Sequence, residues 1–226
     1  MNYRDFLQKV IYWCINPIIK GMIAIGITPN IVTFVGFLGN ILAAAFFVYA
    51  AMLGGAGDIE GMYSFIALGG GVILLAGLFD MMDGRLARMS GKSSSFGALW
   101  DSTLDRYSEL VSVMGIVFVF MEYDSPQWTW MAVVTAAALI GSVMVSYVRA
   151  RAEGLDIECK VGLMQRPERV VVTALGAIVT GLSGEIWWLA GAMIVIALLA
   201  NATAFWRIAH CYRQLTIKDR EDRNKG

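Results

Sequence analysis

Six apolar runs dominate this chain, most of them near the ~20 residues that a helix needs to cross the hydrocarbon core of a bilayer. They cover about Ile31 to Leu53, Tyr63 to Asp83, Leu99 to Met121, Trp128 to Val148, Val170 to Leu182 with flanking residues, and Ile186 to Ile208. Of the 226 residues 58% are hydrophobic and only 16% charged, with a mean hydropathy of +0.62, which excludes disorder and argues against a soluble globule. The predicted class is an all-α integral membrane protein with six transmembrane helices.

Loop charge orients these spans, because cytoplasmic loops carry the Lys/Arg excess. The connections Gly54 to Tyr63, Glu122 to Gln127 and Gly181 to Glu185 contain no Lys or Arg, whereas Arg85 to Lys92, Arg149 to Arg169 and Arg207 to Lys225 are rich in them. Both termini are therefore expected on the cytoplasmic side. Residues 1–26 are interrupted by Asp5 and Lys9 and read as an interfacial amphipathic helix rather than a signal peptide. Leu7, Val10, Ile11, Cys14, Ile18 and Met22 form its apolar stripe, with Arg4, Gln8 and Lys20 on the wet side. Residues 27–214 then form one membrane domain, and 215–226 a frayed polar tail.

The eighteen basic and eighteen acidic residues cancel, which gives no reason to expect a nucleic-acid partner. Cys14, Cys159 and Cys211 stand far apart and read as reduced structural thiols. The informative anomaly is Asp80, Asp83, Asp101 and Asp105, at the cytoplasmic ends of the second and third spans. An Asp at mid-membrane costs about 2.5–3.5 kcal/mol, so a compensating group is required. The spacings i,i+3 and i,i+4 put each pair on one helix face. The short basic connection Met89 to Phe96 predicts that the two helices are antiparallel neighbours, so that the four acids converge. Oxygen donors without His or Cys fit Mg²⁺, Mn²⁺ or Ca²⁺ rather than zinc, and two such ions sharing carboxylates would form a phosphoryl-transfer clamp. Gly84, Ala87 and Gly97 lie on or beside the same faces, where missing bulk would admit a ligand. The competing explanation is tight helix packing in lipid. Gly69-Gly70-Gly71 allows either close helix contact or a kink.

Residues 80–105 read D-x2-D-G-x2-A-R-x8-G-x3-D-x3-D, through Asp80, Asp83, Gly84, Ala87, Arg88, Gly97, Asp101 and Asp105. This resembles the signature of the CDP-alcohol phosphotransferases, without departure in type or spacing. The resemblance implies a six-helix membrane enzyme, usually a homodimer, that splits the pyrophosphate of CDP-diacylglycerol, passes the phosphatidyl group to an alcohol and releases CMP. It further implies that all four Asp hold two metal ions, Mg²⁺ or Mn²⁺, with Asp105 doubling as general base. Asp83, Gly84, Ala87, Arg88 and Ser94 would contact the nucleotide. So would the stretch Asn30, Ile31, Val32 and Thr33, which on the residues alone is only a turn at Pro29-Asn30 leading into a helix.

The segment from Ser146 to Glu153 and the run Arg166-Pro167-Glu168-Arg169 are similar to segments of the family's prokaryotic phosphatidylinositol-phosphate synthases and their archaeal relatives. That resemblance implies inositol phosphate as acceptor. An anionic acceptor calls for guanidinium forks, which Arg149, Arg166, Arg169 and Arg207 could supply. Arg149 stands where many such synthases carry Lys, and these arginines also read as positive-inside anchors or, for Arg151 with Glu153, as a structural pair. Glycerol 3-phosphate is an alternative acceptor, and a divalent-cation transporter is the remote alternative from another class. His210 reads as a packing residue, and Trp187 and Trp188 as anchors at the outer interface.

Overall fold

In a computed structural model, residues 15–123 and 126–225 are described, and among them the chain is helical with short connections. The helices are α1 (Ile15–Ala24), α2 (Pro29–Gly55), α3 (Ile59–Ser90), α4 (Ser95–Glu122), α5 (Pro126–Glu153), α6 (Arg166–Ser183) and α7 (Trp187–Lys225). A helix thus forms at each of the six expected spans. Of these, α2, α3, α5 and α7 are long and apolar enough to cross a membrane. The acids and Arg106 interrupt α4, and α6 has only 18 residues.

Helix ends follow local chemistry. Pro29 opens α2, where its missing N–H costs nothing. Gly91, at φ 66°, closes α3 in the left-handed conformation, and Ser94 caps α4 by accepting from Gly97 N at 3.0 Å. Glu168 reaches back to Gln165 N at 2.7 Å and fixes the start of α6.

The packing order corrects one expectation. α2 packs on α3 and α4, α3 on α6, α6 on α7, α7 on α5, and α5 on α4, which closes a ring of six helices. α3 and α4, consecutive in the chain, scarcely touch along their backbones, because α2 packs on both; their acidic side chains meet across the space between them. Small residues set this arrangement. A Cβ on Gly69 would strike the Phe47 ring at 2.8 Å and one on Gly115 would meet Phe47 Cβ and the Ala44 carbonyl at 3.0 Å, so α2 sits close against both α3 and α4. A Cβ on Gly70 would meet the Ala174 carbonyl at 2.7 Å, so Gly69 and Gly70 serve close helix contact, whereas Gly71 faces open space.

Away from the basic loops the interior is sealed: Phe47, Ile66, Phe120, Leu139, Ala177 and Met193, one from each of α2–α7, belong to one buried cluster. Aromatic side chains close that end, with Trp128 4.7 Å from exposed Trp187 and 6.0 Å from Phe120, and the Tyr63 and Tyr123 hydroxyls 3.0 Å apart.

At the basic end α1 docks through Ile15 and Ile19 onto Val32, Met82 and Leu86, while Arg85 donates to Asn16 Oδ1 at 3.2 Å. Of the expected apolar stripe, Met22 packs against this cluster and Ile18 is exposed, while Ile15 and Ile19 carry the contact with protein. Leu7, Val10, Ile11 and Cys14 lie outside the described residues. The tail expected to fray continues α7 to Lys225; at 39 residues, about 58 Å, that helix outruns a ~30 Å hydrocarbon core.

Candidate active site

The ring's interior at the basic end is polar. Asp80, at the end of α3, and Asp101 and Asp105, at the start of α4, each bring a carboxylate oxygen within 4.8 Å of the others. Arg166, from the first turn of α6, spans two of them: Nη1 donates to Asp80 at 3.0 Å and Nη2 to Asp105 at 2.7 Å. Three carboxylates against one guanidinium leave two negative charges unmatched when all are ionised. Asp101 Oδ1 is moreover buried without a hydrogen-bond partner. A missing divalent charge and an orphaned oxygen are what a hard cation among oxygen ligands would satisfy. Asp83 stands outside the triad: it is 4% exposed, and its Oδ2 accepts from Thr33 Oγ1 at 2.6 Å.

A cleft of about 240 Å³ opens beside Asp83 and Asp101. Asn30, Thr33, Gly84, Ala87, Arg88 and Ser94 line it, together with Lys92 and Ser93, which the sequence reading did not single out. A Cβ on Gly84 would meet nothing within 4 Å, so this glycine keeps the cleft open rather than helices close. Gly97 serves approach: a Cβ there would meet Ser94 Oγ at 3.1 Å and Asn30 Oδ1 at 3.3 Å. The first turns of α2 and α4 both border this cleft, through Pro29 and Asn30 and through Ser94 and Gly97. Ile31 and Val32 do not line it. Ile31 faces outward at 52% exposure, and Val32 is packed under α1.

A second cleft, about 340 Å³, lies on the other side of the triad among α4, α5, α6 and α7. All four predicted arginines, Arg149, Arg166, Arg169 and Arg207, border it, as does Arg106. Their donors are partly committed. Arg149 pairs with Glu153 at 2.9 Å, so Glu153 is the partner of Arg149 and not of Arg151. Arg207 donates to the Val161 and Val145 carbonyls at 2.9 and 2.6 Å and ties α7 to α5 and to the connection before α6. Thr203 holds the same connection by exchanging bonds with Leu163. Arg169 is forked onto Glu109, another residue the sequence reading passed over.

That connection also brings Cys159 to Cys211; burial first, then the hydrogen bond between the thiols, pushes Cys159 above the usual thiol range. His210 Nε2 lies 3.1 Å from the Glu158 carbonyl, away from the carboxylates.

A family model described as CDP-alcohol phosphatidyltransferase matches residues 26–206. A phosphatidylinositol phosphate synthase of Mycobacteroides abscessus is 32% identical over 195 residues, covering 85% of this chain and 81% of the relative. An archaetidylinositol phosphate synthase of Methanothermobacter thermautotrophicus is 31% identical over 191 residues, covering 84% and 86%. Among solved structures, Mycobacterium tuberculosis phosphatidylinositol phosphate synthase with CDP-DAG bound matches at a TM-score of 0.70 and 28% identity, over 87% of this chain and 92% of that one. The same protein in complex with manganese and citrate matches at 0.71 and 28%, over 87% and 88%.

Proposed function

We propose, because this chain belongs to the CDP-alcohol phosphatidyltransferase family, that it transfers the phosphatidyl group of CDP-diacylglycerol to inositol phosphate and releases CMP. The observation that carries this reading is the carboxylate triad between two clefts, one bordered by Asp83, Gly84 and Arg88 and the other by five arginines. The relatives named phosphatidylinositol phosphate synthase support the choice of acceptor.

The nucleotide head enters the smaller cleft, where Arg88, Lys92 and the first turns of α2 and α4 receive its phosphates. Divalent cations, Mg²⁺ or Mn²⁺, two per site, held by Asp80, Asp83, Asp101 and Asp105, supply charge neutralisation on the pyrophosphate and the departing CMP. The arginine cleft receives the acceptor's phosphate and turns a hydroxyl toward Asp105. Asp105 takes the proton of that hydroxyl, its oxygen bonds to the lipid-linked phosphorus, and the bond from that phosphorus to CMP breaks.

The reading includes six membrane-crossing helices behind an interfacial helix over residues 1–26, a catalytic domain over 27–214 and a cytoplasmic tail over 215–226. The site and both termini face the cytoplasm of a prokaryotic cell, and the enzyme works as a homodimer. The sealed apolar interior opposite the site argues against an ion path through the ring.

The test is CMP release by the purified chain from CDP-diacylglycerol, with inositol phosphate, glycerol 3-phosphate or free inositol as acceptor, in Mg²⁺ or in EDTA. Metal-dependent release that requires inositol phosphate is expected. Release that prefers glycerol 3-phosphate reassigns the acceptor, and no release with any of them removes the enzymatic reading.

A further inference from the structure

One buried carboxylate in the ring has no part in the chemistry above. Glu109 lies one turn beyond Asp105, so Asp101, Asp105 and Glu109 recur at four-residue spacing on one face of α4. Its two oxygens accept from Arg169 Nε at 2.6 Å and Nη2 at 2.9 Å, and the same guanidinium donates from Nη1 to the Met164 carbonyl at 3.1 Å. A planar guanidinium gripped along one edge by a carboxylate and at one corner by a carbonyl cannot rotate. These bonds engage three of its five N–H groups. The remaining two are its capacity for an anion, and Arg169 borders the acceptor cleft although only 1% exposed.

The bond also spans a gap. α4 and α6 scarcely touch through their backbones, so Glu109–Arg169 and the neighbouring Asp105–Arg166 are rungs across open space. On one side of the rungs lies the arginine cleft. On the other lies a largely apolar cavity of about 210 Å³, lined by Leu74, Leu78, Val113 and Val170, which Glu109 itself borders.

We propose that Glu109 is a positioning residue: it holds Arg169 across the gap with its free N–H edge toward the acceptor cleft, and so sets the preference for a phosphorylated acceptor. This rests on the acceptor assignment above. Without the carboxylate, Arg169 is free to turn toward other carbonyls and toward Asp105, and the acceptor phosphate loses an oriented donor. With glutamine at position 109 one of the two charge-assisted bonds goes, and an amide NH₂ faces a guanidinium N–H.

The experiment is steady-state CMP release by the full-length E109Q and E109D chains, varying inositol phosphate at saturating CDP-diacylglycerol and the reverse. E109Q is expected to raise the KM for inositol phosphate about 10- to 100-fold. The KM for CDP-diacylglycerol should move less than about threefold, and the rate ratio of inositol phosphate to free inositol should fall in step with the acceptor KM. E109D, which keeps the charge with a shorter reach, should recover part of the loss. A parallel rise in both KM values, or an unchanged acceptor ratio, overturns the proposal. So does loss of folding in both variants that R169Q restores in the same chain, because the pair is then only structural. A wild-type chain indifferent to the acceptor's phosphate instead overturns the function proposed above, which separates the two failures.

Discussion

Thr33→Val isolates a single hydrogen bond at the edge of the carboxylate cluster. Thr33 Oγ1 lies 2.6 Å from Asp83 Oδ2 and 3.1 Å from the Pro29 carbonyl. One hydroxyl carries one hydrogen. The shorter contact lies within the range of a charge-assisted O–H···O⁻ bond, so the hydrogen belongs to Asp83. Both side chains are buried, at 7% and 4% exposure, at the wall of the cleft of about 240 Å³. Hydrogen bonds to charged groups contribute about 1.5–3 kcal/mol. Removing this one should therefore lower kcat/KM for CDP-diacylglycerol by about 10- to 150-fold. The hypothesis is that the loss enters through Asp83, which lines the nucleotide cleft, so the acceptor KM should stay near wild type. Thr33→Ser is the control: it keeps the hydroxyl and gives up one methyl group, about 0.8 kcal/mol. The assay is CMP release against CDP-diacylglycerol concentration, with thermal unfolding in detergent alongside. Equal behaviour of the valine and serine variants, or a defect confined to the acceptor KM, would show that the bond to Asp83 does not orient it for the donor.

Further predictions concern the base, two glycines and a thiol. Asp105→Asn should cut kcat about 10²- to 10⁴-fold while metal-dependent binding of CDP-diacylglycerol, measured by equilibrium dialysis in micelles, persists; undiminished CMP release would remove Asp105 as base. Gly84→Ala should leave the fold intact or stabilise it by up to about 1 kcal/mol, since the new methyl meets open space in a helix, yet raise the KM for CDP-diacylglycerol. Gly70→Ala should do the opposite, lowering the unfolding temperature because its methyl meets a backbone carbonyl at 2.7 Å, and equal melting of the two variants would contradict the packing described. Cys159 is 2% exposed and its thiol is pushed up, so thiolate is scarce at neutral pH. Maleimide should label it slowly in the native protein, faster as pH rises and at once in SDS; prompt native labelling at neutral pH would mean that the 154–165 connection opens.

What was legible in the sequence was what lies close along the chain. The spacing of Asp80, Asp83, Asp101 and Asp105 carries the chemistry of the site because helix geometry turns i,i+3 and i,i+4 into shared faces. The loop charges likewise foretold which end would be polar. Illegible was the order in which helices pack. A short connection suggested that α3 lies against α4, but Phe47 seated against Gly69 and Gly115 puts α2 between them, and no local pattern encodes which glycine receives which ring. Val32 was assigned to the nucleotide and is packing, because the surface it covers belongs to α1. Glu109 had a signal that went unused: an acid four residues after Asp105 within an apolar run needs a partner as much as Asp105 does. The meeting of Cys159 with Cys211 depends on the course of the 154–165 connection and had no sequence signal at all.

The ring also accounts for why both signs of charge crowd one end of it. Helices α2, α4 and α6 begin there, and α3, α5 and α7 bring Arg88, Arg149 and Arg207 near the same level as they return. These guanidinium groups, with Arg106 and Lys92, form a positive rim along both clefts. Inside the rim, three carboxylates stand with Arg166 as their one paired counter-charge among the described residues. A phosphate attracted by the rim is repelled by the centre unless a cation sits between. On the proposed function anion and cation complete each other's site: divalent charge among the carboxylates would offset their repulsion and let the phosphate come within reach of Asp105. Arg166, bonded to Asp80 and Asp105 and bordering the acceptor cleft, is the group through which the two demands meet. Its contacts with both acids follow from the spacing of α3 and α4 that α2 imposes.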